Sequence, residues 1–520
     1  MRSDGQDHPV GREGFVGYAG DVLTYHYNAS RQGQNTLESV LTPSNVNSSS
    51  FGKIGFFTVD GKVDAQPLYV YRLPGILHTQ NTLLVVTEHG SAYAFDADAG
   101  LQSWKVTTLL PGESPSDNHG CSQISPEIGI TDTPVIDRQR GPHGAMYLVA
   151  TSKDSSGKYH QRLHALDLQT GAELFGGPTE IQATYPGNGD GSQNGQVIFA
   201  PGQFAERAGL LELGGDIYIA FTSHCDARPY TGWLMGYNAL TLTQTSVIDV
   251  TPNGNEGAIW MAGAGLAGDS LGNIYFLDAN GTFDTTLNSQ GFPVNGDYGN
   301  AFLKISTSPQ LAVADYFNMY NTVQESNDDE DLGSGGAMLL PDLMDNNGQV
   351  HHLAVGAGKD SNIYVVDRDN MGKFNPNNNN AIYEELPNAL PGGVWANPAY
   401  FNNTVYYGSV GSPLKAFPIS NAKLGSFSSQ TATSFEYPGT SPAVSANGTS
   451  NGIVWAVENS NPAVLHAYDA TNLATELYNS NQAGARDQFG PGNKFITPVI
   501  VNGKVFVGTQ TGVAEFGLLQ

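Results

Sequence analysis

Apolar and polar residues alternate with a period of two through most of the chain, in short runs rich in Val, Ile and Tyr that end at Asn-Gly, Asp-Gly or Gly-rich turns. That period puts one face of an extended segment on a core and the other on solvent, so each run predicts a β-strand and each turn a hairpin. The runs also recur in a fixed order. A strand opened by Pro reads "TPVID" at Thr133–Asp137 and "TPVIV" at Thr497–Val501, with relatives at Gln66, Asn397 and Ser441. An apolar strand ending in an aromatic-Asp turn follows, as in "LLVVTEHGSAYAFDADAG" (Leu83–Gly100), "NIYVVDRDNMG" (Asn362–Gly372) and "VLHAYDATN" (Val464–Asn472). No segment carries a long helical period.

A four-stranded meander cannot bury both faces alone, and units of roughly 40–50 residues solve this by stacking radially. The sequence therefore predicts an all-β fold, an eight-bladed β-propeller of four-stranded antiparallel blades, since about eight units are legible and the third and fourth carry insertions. The orphan strand "FGKIGFFTVDGK" (Phe51–Lys62) precedes the first unit, and the last unit stops at Gln520. This N-terminal strand is expected to complete the final blade, closing the ring and removing an exposed edge. Residues 1–20 read as an unpacked lead-in and 21–520 as one propeller domain.

Charge narrows the function. With 23 Lys plus Arg against 49 Asp plus Glu, the net charge is −26, which makes nucleic acid and anionic membranes poor partners. No apolar run reaches spanning length, so membrane insertion is not expected. The Met followed by a polar stretch reads as a chain whose export signal has been removed, and an extracellular or periplasmic monomer is expected. The two cysteines, Cys121 and Cys225, lie in different units. They form one long-range disulfide in an oxidising compartment or stay as two buried thiols.

Three segments bear candidate chemistry. "GAIWMAGAGLAGDSLGNIYFLDANGTFD" (Gly257–Asp284) combines Trp260 with an Asn280-Gly turn; "ESNDDEDLGSGGAMLLPD" (Glu325–Asp342) carries an acidic cluster; "AVGAGKDSNIYVVDRDNMG" (Ala354–Gly372) sets Lys359 just before a turn. In this order they resemble the pyrroloquinoline-quinone (PQQ)-type eight-bladed propellers, which include quinoprotein alcohol dehydrogenases and non-enzymatic assembly scaffolds. The resemblance runs over nearly the whole chain. It implies that Trp260 forms a flat floor for the quinone, that Asn280 and Asp331 bind Ca²⁺, and that Asp329 or Asp331 takes the alcohol proton. It further implies that Lys359 polarises the quinone carbonyl. Asp226, in "TSHCDARPYTGW" (Thr222–Trp233), approximates the family's calcium-binding Glu, and "GGVWANPAY" (Gly392–Tyr400) places Trp395 and Asn397 at the pocket mouth. The implied activity is oxidation of a small alcohol or saccharide with PQQ and Ca²⁺, passing electrons to a separate acceptor, because no haem-attachment motif is present.

The chain departs from the family at the quinone's other face. Soluble members cover it with a ring made by two adjacent cysteines, and here Cys121 has only Cys225 as a possible partner. An alternative therefore stands beside the redox reading: a non-redox propeller that binds or cleaves carbohydrate, or an extracellular interaction scaffold. Its loops are rich in Tyr, Trp, Asp, Asn and Arg, and His119, Glu127, Asp132, His224, Asp226 and Arg228 are its candidate acid–base set.

Overall fold

A computed structural model describes residues 20–74 and 79–519. The lead-in expected over residues 1–20 falls, except for Gly20, outside the described residues. Strands dominate, and the only α-helix among the described residues is Thr322–Asn327. None of the helices is long and apolar enough to cross a membrane.

Eight sheets contain four or more strands. The first joins Leu68–Pro74, Thr79–Val86, Ser91–Asp96 and Leu101–Thr107 in sequence order. In the last, Phe51–Thr58 pairs antiparallel with Gly512–Leu518, Phe51 opposite Leu518. The N-terminal strand thus completes the C-terminal sheet, as the sequence predicts, and the fold is a β-propeller.

The period-two expectation holds at the rim and fails near the hub. The outermost strand Leu101–Thr107 is largely exposed, whereas Ser91–Asp96 is buried at every position. A blade between two others has no solvent face, so the polar residues of its middle strands are buried as well. Aromatic side chains fill the seams: Phe199, Phe221 and Trp233 meet between the second and third sheets.

The innermost strands would leave backbone groups unpaired around the hub, and residues 22–36 supply the partners. This segment crosses one end of the ring and reaches all eight sheets. Val22 bridges Tyr69, and Leu23 O accepts from Ile136. Ala29 O, Ser30 O, Gln32 O and Gly33 O accept from Gly268, Leu339, Tyr400 and Val444, each at 2.8–2.9 Å. Arg31 donates to Leu210 O at 2.9 Å, and the Tyr27 hydroxyl accepts from Ile500 N–H at 2.8 Å. Gln34–Asn35 then adds a parallel strand to Ala443–Asn447. The strap closes one end of the central channel and leaves the candidate pocket at the other. Nothing in the repeat pattern announces it, because the strap lies outside the repeats.

Candidate functional site

A cavity of about 290 Å³ opens at the hub. Trp260, Asp329, Asp331, Lys359, Trp395 and Asp226 all line it, although they come from segments up to 169 residues apart.

The acidic loop is built for close approach. Gly358 lies against Asp331: a Cβ there would sit 2.3 Å from the Asp331 carbonyl oxygen. The next residue, Lys359, donates its backbone N–H to that same carbonyl at 2.9 Å. The Lys359 ammonium then bridges Asp329 Oδ1 and Asp331 Oδ2, each at 2.7 Å. Asn280 completes the set, donating its backbone N–H to Asp331 Oδ1 at 2.7 Å and its amide Nδ2 to Asp329 Oδ1 at 2.9 Å. Its Oδ1 is buried without a partner.

The two carboxylates differ. Asp329 is largely exposed, whereas the Asp331 side chain is only 8% exposed. Burial raises the Asp331 carboxyl above its ordinary range even though Lys359 and the Asn280 N–H pull it down. For Lys359, burial opposes the charge but Asp331 and Asp329 outweigh it, so its ammonium is held more firmly than usual. Asp331 is thus a carboxylate of raised basicity, clamped in one orientation, which is what a general base requires.

Aromatic rings wall the rest. Trp260 meets Phe495 edge-on, centroids 6.2 Å apart, and Trp395 meets Tyr437 edge-on at 5.8 Å. Lys359 Nζ lies 5.9 Å from the Trp395 ring. Cys121 and Cys225 are joined in a disulfide that ties the loop before Ile124 to the loop after Thr222, and both line the cavity. Beside it, the His119 and His224 rings stack at 4.0 Å. Burial lowers His224 to about 4, so this imidazole is neutral at physiological pH.

Two expected positions need revision. Asn397 is fully buried and does not face the cavity. Its amide donates to Arg31 O at 2.9 Å and lies 2.9 Å from His26 Nδ1, so it anchors the strap at the closed end rather than contacting a ligand at the mouth. Asp226 lines the cavity but accepts from the Ser223 and Tyr230 hydroxyls, at 3.1 Å each, and joins neither Asn280 nor Asp331. Among the described residues no three His, Cys, Asp or Glu side chains come together as a metal-binding group.

Of the acid–base set of the carbohydrate reading, His224 and Asp226 line the cavity and His119 stacks on His224, while the other three lie apart. Glu127 pairs with His89 at 3.0 Å, Arg228 with Asp190 at 2.6 Å, and Asp132 is fully buried. Conversely, sequence reasoning passed over Arg207, Tyr437 and Phe495. Phe495 stands two residues ahead of the Thr497-Pro498 strand opening, so its place before a repeated strand was the one signal that could have found it.

No protein-family model matches the chain, and no curated protein does. Solved structures do match. The quinohemoprotein alcohol dehydrogenase from Comamonas testosteroni aligns with 96% of this chain and 80% of its own, at a TM-score of 0.62 and 13% identity. A quinohemoprotein alcohol dehydrogenase from Pseudomonas putida HK5 gives 0.63 and 12% with the same coverage. A europium-containing methanol dehydrogenase gives 0.61 and 12%, over 96% of this chain and 98% of that one. The fold is therefore that of the PQQ-type β-propellers.

Proposed function

We propose that the protein is a quinoprotein-like oxidoreductase that oxidises an alcohol or sugar in the hub cavity. The observation that carries this reading is the convergence of Trp260, Asp331 and Lys359 from three separate segments on one pocket, with Asn280 hydrogen-bonded to Asp331 behind its wall. The residues fit the group. Trp260 offers a broad apolar face, Lys359 a cation for carbonyl oxygen, and Asn280 an unpartnered buried oxygen beside a carboxylate. PQQ, when bound, supplies the two-electron acceptor. Asn280 Oδ1 and Asp331 would hold a Ca²⁺-type cation next to it, a hard oxygen donor pair suited to a hard ion.

The chain's own residues perform the remaining work. Asp331, with its raised basicity, takes the hydroxyl proton of the alcohol, and Lys359 keeps the resulting carboxyl positioned. The aromatic walls and the disulfide exclude water from the reacting atoms. Electrons leave to a separate acceptor. The disulfide also supports an extracellular or periplasmic location, where such bonds persist.

An absorbance titration with PQQ and Ca²⁺ tests the reading. Saturable binding is expected, weakened about 10- to 100-fold in Trp260→Ala and in Lys359→Ala, as loss of a stacking face or a charged hydrogen bond would give. Absence of binding, with retention on a glycan array, would instead support carbohydrate recognition. At saturating PQQ and Ca²⁺, Asp331→Asn is expected to lose about 100-fold or more in rate. A rate within a few-fold of wild type under those conditions would remove Asp331 as the base.

A further inference from the structure

The wall opposite the acidic cluster is cationic. Arg207 lines the cavity with its guanidinium 4.7 Å from the Phe495 ring. It is 6% exposed, and Nη2 donates to Gln123 O at 3.3 Å. Among the described residues no carboxylate forms a salt bridge with it. The fully buried guanidinium of Arg31 is by contrast bonded through Nε, Nη1 and Nη2.

Lys494 stands behind Arg207. Its ammonium donates to Gln123 Oε1 at 3.0 Å, lies 5.5 Å from the Tyr437 ring, and likewise lacks a salt-bridging carboxylate among the described residues. Lys62, further back, is neutralised by Asp64 at 3.2 Å. Burial, then Arg207 and Lys62, push the Lys494 ammonium below its usual range. In a chain of net charge −26, acids are plentiful, yet the buried Asp64, which acts on Arg207 and Lys494 from a distance, is already paired with Lys62, and a buried guanidinium with no carboxylate in contact is costly. An anionic ligand that enters the cavity would relieve that cost.

We propose that Arg207 binds a carboxylate in this cavity, with Lys494 adding positive charge from behind, and that the pocket's ligand is a hydroxy acid or sugar acid with its anionic end on Arg207. Asp226, Asp329 and Asp331, which also line the cavity, repel that carboxylate and so leave the hydroxyl end to Asp331. Arg207 offers a planar pair of donors, the geometry that matches a carboxylate. The hydroxyl half of this assignment rests on the proposed oxidation; the anion subsite does not.

The test uses 4-(hydroxymethyl)benzoate and benzyl alcohol, which differ by one carboxylate, titrated calorimetrically into the protein without quinone. The benzoate is expected to bind about tenfold or more tightly, the step that one charge-assisted pair supplies. Arg207→Gln should erase the preference and leave benzyl alcohol binding unchanged, Arg207→Lys should keep part of it, and Lys494→Gln should lower it severalfold. If Arg207→Gln does not fold, the Lys and Lys494 variants decide the matter. Equal binding of the two probes, or a preference that survives all three variants, overturns the proposal. So does displacement of the benzoate by PQQ, which would assign the cationic wall to the carboxylates of the cofactor. Failure of PQQ to bind while the benzoate preference persists would sink the redox reading alone.

Discussion

Replacing Arg31 by Met is expected to cost the fold about 2–5 kcal/mol, measured as a lowered urea midpoint with an unchanged slope. Arg31 is fully buried at the centre of the strap, and its guanidinium serves Leu266 O at 2.7 Å, Thr24 Oγ1 at 2.6 Å, and Tyr25 O and Leu210 O at 2.9 Å each. Burial without a carboxylate pushes it down to about 9, so it is still charged at neutral pH and its desolvation is a real cost. Deleting it removes that cost but orphans four acceptors, two on the strap itself and two beside different sheets. Each buried, unpaired acceptor is worth about 1–3 kcal/mol, so the loss outweighs the relief. Arg31→Lys keeps the charge and loses the fork, and should recover little. A midpoint unchanged in Arg31→Met would mean that the strap merely fills space.

The second large effect is a fall in stability as pH rises from about 4 to about 8. Burial raises Glu206 and Asp249 to about 7 and Glu212 and Glu325 to about 8. Unfolded, these carboxyls release their protons near pH 4. The folded state alone keeps them protonated up to pH 7–8, so their contribution is full below the unfolded value and is lost as pH rises through the folded one. Each such group removes about 1.4 kcal/mol of stability per pH unit across that window. His26 and His224 act oppositely. Burial lowers them to about 3 and about 4, so the unfolded chain gains protons first as pH falls below 6.5, and two histidines offset part of what four carboxyls contribute there. Between pH 6 and 8 the carboxyls of this set dominate, and self-repulsion of a −26 chain works in the same direction. Urea denaturation at pH 6 and pH 8 should differ by several kcal/mol, and Glu206→Gln should flatten the slope. Equal stability at the two values, or a rise toward pH 8, would refute this account.

Much of the candidate site was legible because it sits on the repeats. Trp260, Asn280, Asp331 and Lys359 occupy hub-side turns, and the repeat sends each such turn to the same axis. Asn397 was misplaced for the same reason: its position in the repeat is hub-side too, but the strap occupies that end of the hub and captures its amide through His26 and Arg31 O. The cationic side chains gave no local signal, since Arg207 and Lys494 sit 287 positions apart and meet only in the folded chain, through Gln123 and the Phe495 ring.

The order of strands, the propeller ring and the closing role of Phe51–Thr58 were determined by the sequence alone, because alternation and turn chemistry act over a few residues and repeat faithfully. Tertiary structure decided which end of the channel is open, whether Cys121 meets Cys225, and which charges face the cavity. Those outcomes depend on contacts across the hub between residues hundreds of positions apart, where no local periodicity reaches.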